Sequence, residues 1–109
     1  MSAVLFVAQR LSAAVLALAV TVHLGTILYA VRGGLTAGEI LGRTRGSIAF
    51  MLLYLVFVVA VAVHAPIGLR TVLREWTPWR GPSLDLALGG FALLLLGLGL
   101  ISVYAVTLT

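Results

Sequence analysis

The chain has 109 residues, of which 62% are hydrophobic and only 9% are charged. A soluble domain carries about 25% charged residues, so this composition cannot cover a water-facing surface and predicts a protein embedded in lipid. The net charge of +4 is small. With no basic stripe or aromatic platform, it indicates no nucleic-acid partner. The absence of cysteine excludes disulfides, iron–sulfur ligation and thiol catalysis by this chain.

Three apolar segments are each long enough to cross a bilayer core, which takes about 20 residues. They cover approximately residues 8–31, 47–69 and 84–106. We predict an all-α fold in which residues 1–109 form one membrane-anchor domain, an up-down bundle of three transmembrane helices. The only early base, Arg10, lies within the first apolar run, so we expect a retained span and not a signal peptide.

The first connection contains signals for the end of one helix and the start of another. Gly33 and Gly34 should end the first span, because glycine tolerates the left-handed backbone that closes a helix. Thr36, with Glu39 three residues on, predicts a short interfacial helical turn that reaches Leu41.

The second connection is predicted to run over residues 70–83, with its tryptophans at the membrane interface. Pro66 should loosen the last turns of the second span, since proline lacks a backbone donor and clashes with the preceding turn. In the third span, Gly90 and Gly97 are seven residues apart and share a face, which predicts close approach of a neighbouring helix there.

The orientation is predicted from the arginines near the ends of the spans. Four lie on the side of the N-terminus and the second connection, and three lie on the side of the first connection. Because basic residues favour the cytoplasmic side, we predict a cytoplasmic N-terminus. The four are Arg10, Arg70, Arg74 and Arg80, and the three are Arg32, Arg43 and Arg45.

The two histidines, His23 and His64, both lie within predicted spans. An imidazole inside a membrane is costly unless it has a use, and neutral imidazole is an axial ligand of haem iron. The alternative is a structural histidine hydrogen-bonded between helices. Haem propionates pair with nearby basic residues, and Arg70 lies six residues after His64, which favours the ligand role for His64. We predict that Arg70 and Arg74 are the residues that pair with the propionates.

The depths of the histidines bear on whether they share one iron. If Arg10 and Arg70 mark the same membrane face, His23 lies about 20 Å deep and His64 about 9 Å deep. Two axial ligands of one iron need nearly equal depths. We therefore favour two haems at two levels, each with its second ligand from another chain. The alternative is one haem on His64, with His23 structural.

Arg10 and Ser12, near the start of the first span, are candidates to hydrogen-bond a quinone carbonyl close to the membrane surface. The alternative for Arg10 is an anchor at lipid phosphates, which is a common use of arginine at the end of a span.

Two segments resemble the cytochrome b membrane-anchor subunits of succinate dehydrogenase (respiratory complex II) and quinol:fumarate reductase. His64-Ala-Pro-Ile-Gly68-Leu-Arg70 resembles the His-x-x-x-Gly-aliphatic-Arg motif at the end of that family's second span, whose histidine binds haem b. Gln9-Arg10-Leu-Ser12-Ala13 resembles its first-span His-Arg-x-Ser-Gly motif, whose arginine lies near the quinone site. The departures are Gln9, Ala13 and Thr71, the last standing where a histidine often follows the arginine.

This resemblance implies a non-catalytic anchor of a succinate:quinone oxidoreductase in a bacterial cytoplasmic membrane. Its partners would be a second anchor subunit, an iron–sulfur subunit and a flavoprotein. Its cofactors would be haem b and ubiquinone or menaquinone. His23 resembles the first-span histidine that serves the distal haem in the dihaem branch of the family. Two alternatives stay open: a cytochrome b anchor of another membrane dehydrogenase, and a small non-redox membrane protein.

Overall fold

The computed structural model describes residues 2–109, and four α-helices account for most of them. The long helices are α1 (Ala3–Gly33), α3 (Ile48–Trp76) and α4 (Pro82–Thr107), while the short α2 (Ala37–Thr44) lies between α1 and α3. Each long helix is apolar and long enough to cross a membrane. The predicted all-α architecture with three spanning helices is confirmed, and it indicates a multi-pass membrane protein.

Local hydrogen bonds explain where α1 begins and ends. The Ser2 hydroxyl accepts a hydrogen bond from the Leu5 amide at 3.2 Å, which satisfies one of the unpaired donors of the first turn. At the other end, Gly34 has a φ of 112° and its amide donates to the Ala30 carbonyl at 2.9 Å. The glycine stop predicted from the sequence is confirmed.

The predicted short helix is also confirmed, and α2 continues past Leu41 to Thr44. The Thr36 hydroxyl accepts from the Glu39 amide at 3.2 Å, and Glu39 Oε1 accepts from the Thr36 amide at 3.4 Å, which forms a capping box. The hydrogen bond from the Thr36 hydroxyl to the Glu39 carboxylate is the main reason that the pKa of Glu39 is lowered, with smaller contributions from the Thr36 amide and the charge of Arg43.

Helix α3 continues through Pro66 to Trp76, so the prediction that the second connection begins at residue 70 is wrong. Proline removes one backbone donor, but the residues after it keep theirs and include good helix formers such as Leu and Arg. The Thr71 hydroxyl also donates to the Ile67 carbonyl at 3.2 Å. As a result, Arg70 and Arg74 are helical residues on the last turns of α3.

Helix α3 is the central element, because it packs against both α1 and α4. The up-down order places the C-terminal end of α3, with Arg70, Arg74 and Arg80 nearby, at one end of the bundle; we call this the basic end. At the opposite end, the Gly46 amide donates to the Thr107 carbonyl at 2.7 Å and ties the turn before α3 to the end of α4. Most apolar side chains of the long helices remain on the outer surface, where lipid or partner helices can cover them.

The close helix contact predicted at Gly90 and Gly97 is not found there. A Cβ atom added to either glycine would meet no other atom within 4 Å. Gly99 makes the close approach instead, since a Cβ atom there would overlap the Val58 side chain of α3. The seven-residue spacing identified a shared face of α4, but the rotation of α4 turns that face away from α3.

Candidate functional site

The first candidate site lies between α1 and α3 and is formed by Gln9, Ser12 and His64; we call it the His64 level. Ser12 is only 7% exposed. Its Oγ donates to the Gln9 carbonyl at 3.1 Å and lies 3.4 Å from Nδ1 of His64. The contact between Ser12 and His64 joins α1 to α3.

Gln9 extends the polar character of the His64 level. Its Oε1 atom is buried and has no hydrogen-bond partner among residues 2–109. Its Nε2 atom would lie 3.3 Å from a Cβ atom added to Gly68, so glycine at this position leaves room for the amide. Buried amide oxygens normally have a hydrogen-bond partner, so Gln9 Oε1 is an exception among the described residues.

The second candidate site, which we call the His23 level, is aromatic. The His23 ring meets the rings of Tyr54 and Phe57 edge-on, with a centroid distance of 5.9 Å in each case. His23 Nδ1 is buried and has no hydrogen-bond partner among the described residues. The three rings line an open cleft of about 260 Å³, and Gly99 and Ser102 of α4 line it as well.

The two levels are well separated along the bundle. Ser12 and His23 are eleven residues apart on α1, a rise of about 16 Å. The separation between the two levels is larger than the depths predicted from the sequence implied. Those depths assumed that Arg10 and Arg70 lie at the same height, but the contact of Ser12 with His64 places Arg10 deeper along the bundle than Arg70. The imidazoles of one chain therefore do not face a common point.

The basic end holds the residues predicted to pair with propionates. Arg70 Nε lies 3.1 Å from Asp85 Oδ1, with the arginine side chain 21% exposed and the aspartate 62% exposed. Arg70 and Arg74 line the same depression of about 230 Å³, together with Arg80. Arg80 folds back and donates to the carbonyls of Arg74, Thr77 and Trp79.

The structure does not bring Arg10 and Ser12 together. The Arg10 guanidinium lies 5.8 Å from the centre of the Phe6 ring and is exposed, whereas Ser12 is buried against His64. Residues two apart on a helix point to different faces. Ser12 thus belongs to the His64 level, and Arg10 lies on the outer surface of α1.

Each of the two levels contains one imidazole, which is a ligand type that haem iron accepts. Residues 2–109 contain no group of three or more His, Cys, Asp or Glu side chains placed to hold a metal ion. Haem iron needs only one imidazole from a given chain. Beside the His64 level, an apolar groove of about 500 Å³ runs between α1 and α3, lined by Ser12, Ala60 and Val63 among others. The lining is apolar apart from Ser12 and does not include His64, so the groove would accept an apolar group beside the His64 level.

Sequence reasoning missed three contacts of these sites: the hydroxyl of Ser12 on His64, the aromatic walls of the His23 level, and the pairing of Arg70 with Asp85. Each pair joins different helices. No local spacing could have identified them, because they depend on the register of α3 against its neighbours.

Comparison of the chain with protein-family models, with curated proteins and with solved structures finds no match.

Proposed function

We propose that the chain is a haem b-binding membrane-anchor subunit of a succinate:quinone oxidoreductase. The observation that carries the proposal is His64, a membrane histidine near the basic end whose Nδ1 contacts a buried serine. Metal-bound histidines commonly use their second ring nitrogen in a hydrogen bond of this kind. The resemblance of residues 64–70 to the family's second-span motif supports the same assignment.

In this proposal, His64 and His23 each supply one axial ligand to a separate haem b, and another chain supplies the second. The distance between the two levels supports two haems over one bridged haem. Arg70 and Arg74 pair with propionates at the basic end. A bound haem b stores or relays one electron, and its potential depends on its ligands and surroundings.

The remaining assignments follow the same proposal. Arg10 binds the quinone, ubiquinone or menaquinone, at the outer surface of α1. Ser12, assigned to the quinone on sequence, contacts His64 in the described chain. The N-terminus faces the cytoplasm of a bacterial cell, where the basic end meets the iron–sulfur subunit and the flavoprotein. A second anchor subunit covers part of the exposed apolar surface of the long helices. Nothing in this chain oxidises succinate, so its contribution is to bind the cofactors and orient them.

The test is a difference spectrum of the purified complex, recorded after reduction with succinate and then with dithionite, with haem counted per chain. Two haems b per chain, at least one of them reduced by succinate, are expected. If dithionite reduced haem in the complex and succinate reduced none of it, the chain would be an anchor of another membrane dehydrogenase. A single haem would leave His64 as the ligand and make His23 structural.

A non-redox membrane protein is the second candidate, because the contact between Ser12 and His64 also satisfies a histidine that only ties α1 to α3. A colourless complex that contains no haem would support this candidate and refute the proposed function.

A further inference from the structure

The contacts of Ser12 determine which nitrogen of the His64 imidazole carries the proton. The Ser12 hydroxyl has a single hydrogen and two acceptor lone pairs. Its shorter contact, 3.1 Å, is with the Gln9 carbonyl, which can only accept. Serine hydroxyls in helices often donate in this way to a carbonyl of the preceding turn. The hydrogen of Ser12 is therefore used within α1.

In the contact of 3.4 Å between Ser12 Oγ and His64 Nδ1, the histidine must then be the donor and the serine the acceptor. With its hydrogen directed at Gln9, Ser12 Oγ offers a lone pair, so Nδ1 must carry the hydrogen and donate it. A neutral imidazole has one N–H, which leaves the lone pair on Nε2. Ser12 is buried, so water does not compete for this contact and the preference is not averaged away.

We infer that Ser12 is a positioning residue that holds His64 as the Nδ1–H tautomer and so makes Nε2 the nitrogen available to a ligand. The identity of that ligand as haem iron rests on the proposed function, whereas the tautomer does not. Donation from Nδ1 also raises the basicity of the imidazole towards a metal at Nε2. Ser12 thereby sets both which nitrogen binds and how strongly it binds.

His23 supplies an internal contrast, since its Nδ1 has no hydrogen-bond partner among the described residues. The imidazole packs against the rings of Tyr54 and Phe57 at interplanar angles of 80° and 69°, and no hydrogen bond to Nδ1 accompanies this packing among the described residues. The chain therefore holds one histidine with an assigned tautomer and one without.

The test is nitrogen NMR of the full chain, labelled with ¹⁵N-histidine and reconstituted without haem in lipid nanodiscs at pH 8, where ordinary imidazoles are neutral. The His64 signals are assigned by their loss in His64→Ala. We expect a protonated Nδ1 and an unprotonated Nε2 in the wild type. In Ser12→Ala, both shifts should move towards averaged values, because the acceptor is gone.

Two variants control for the loss of a hydroxyl from α1. Ser12→Thr should restore the wild-type shifts, because threonine makes the same bond to the preceding turn and the adjacent groove has room for its methyl group. Thr21→Ala should leave the His64 shifts unchanged. It removes a hydroxyl bonded to the Ala17 carbonyl at 2.7 Å, but that hydroxyl lies on an exposed face of α1.

A hydrogen on Nε2 of His64 in the wild type would refute the inference, whether or not the variants fold. Unchanged His64 shifts in a folded Ser12→Ala would refute it independently. In the haem-loaded complex, Ser12→Ala should weaken haem retention about tenfold and raise the midpoint potential, since a less basic imidazole favours the oxidised iron less. A wild-type complex without haem would refute the proposed function and leave the tautomer result standing.

Discussion

The two histidines of this chain lie on the same pair of helices, yet their surroundings differ in kind. His64 contacts a buried hydroxyl near the basic end, and His23, deeper along α1, packs in T-shaped arrangements with two aromatic rings. A hydrogen bond specifies where the imidazole proton lies, whereas ring packing specifies only the plane of the imidazole. The two levels therefore orient their imidazoles in different ways, one through a hydrogen bond and one through packing against aromatic rings.

The largest effect is expected from removing His64. On the proposed function, His64→Ala should abolish the absorbance of one haem b while the three spans still insert, because His64 is the one imidazole at this level. Reduced-minus-oxidised spectra of the complex measure this loss. Thr71→Ala, which removes a hydroxyl from the same helix, is the control and should retain the full spectrum.

His23→Ala tests whether the His23 level binds haem independently. On the proposed function, it should remove the second haem and leave the haem at His64. The two levels are about 16 Å apart, too far for one ligand to replace the other. If His64→Ala removed all haem and His23→Ala removed none, the chain would bind a single haem at His64, and His23 would be structural.

The helix contact at Gly99 should affect the His23 level alone. Gly99→Leu should overlap Val58, destabilise the chain by about 1–3 kcal/mol and disturb the cleft beside His23. Gly97→Leu is the matched control, because a Cβ atom there meets nothing within 4 Å and the change in helix propensity is the same. Thermal unfolding in detergent, compared between the two variants, measures the packing effect. Equal stability would show that α3 and α4 are not in close contact at Gly99.

Arg10 tests whether quinone binding is separate from the His64 level. Arg10→Ala should slow quinone reduction about tenfold, the loss expected for one hydrogen bond to a charged group, with little change in haem content. Steady-state kinetics with a soluble quinone, together with a haem assay, separate the two effects. Arg45→Ala, at the opposite end of the bundle, is the control. Unaltered quinone kinetics in Arg10→Ala would indicate that Arg10 anchors the helix at lipid phosphates and does not bind the quinone.

The smallest effect is expected at the capping box of α2, far from the basic end. Because hydrogen bonds from Thr36 lower the pKa of Glu39, the ionised carboxylate stabilises α2 at neutral pH. This contribution should be lost as the pH falls below the ordinary glutamate range and through the lowered pKa. Hydrogen exchange of the α2 amides should rise slightly over that range, and Glu39→Gln should remove the pH dependence. A pH dependence that persists in Glu39→Gln would have another origin.

Some local features followed from neighbouring residues and were predictable. The capping box of Thr36 and Glu39 and the stop at Gly34 are formed by residues three or four apart, so spacing alone identified them. Pro66 shows the limit of such rules, because the turns on either side of it preserved α3 as one helix. The contact of Ser12 with His64 joins residues 52 positions apart, and no local pattern encodes it.

Composition and apolar length indicated an all-α chain that crosses a membrane, since a long apolar helix pairs its backbone groups internally, as a segment in lipid must. The same patterns selected both histidines as candidate ligands, because polar groups in that environment are costly. The tertiary structure alone decided that Ser12 meets His64, that His23 meets Tyr54 and Phe57, and that Gly99 faces α3. These contacts depend on the rotation and register of whole helices, which are set by side-chain packing summed over the bundle.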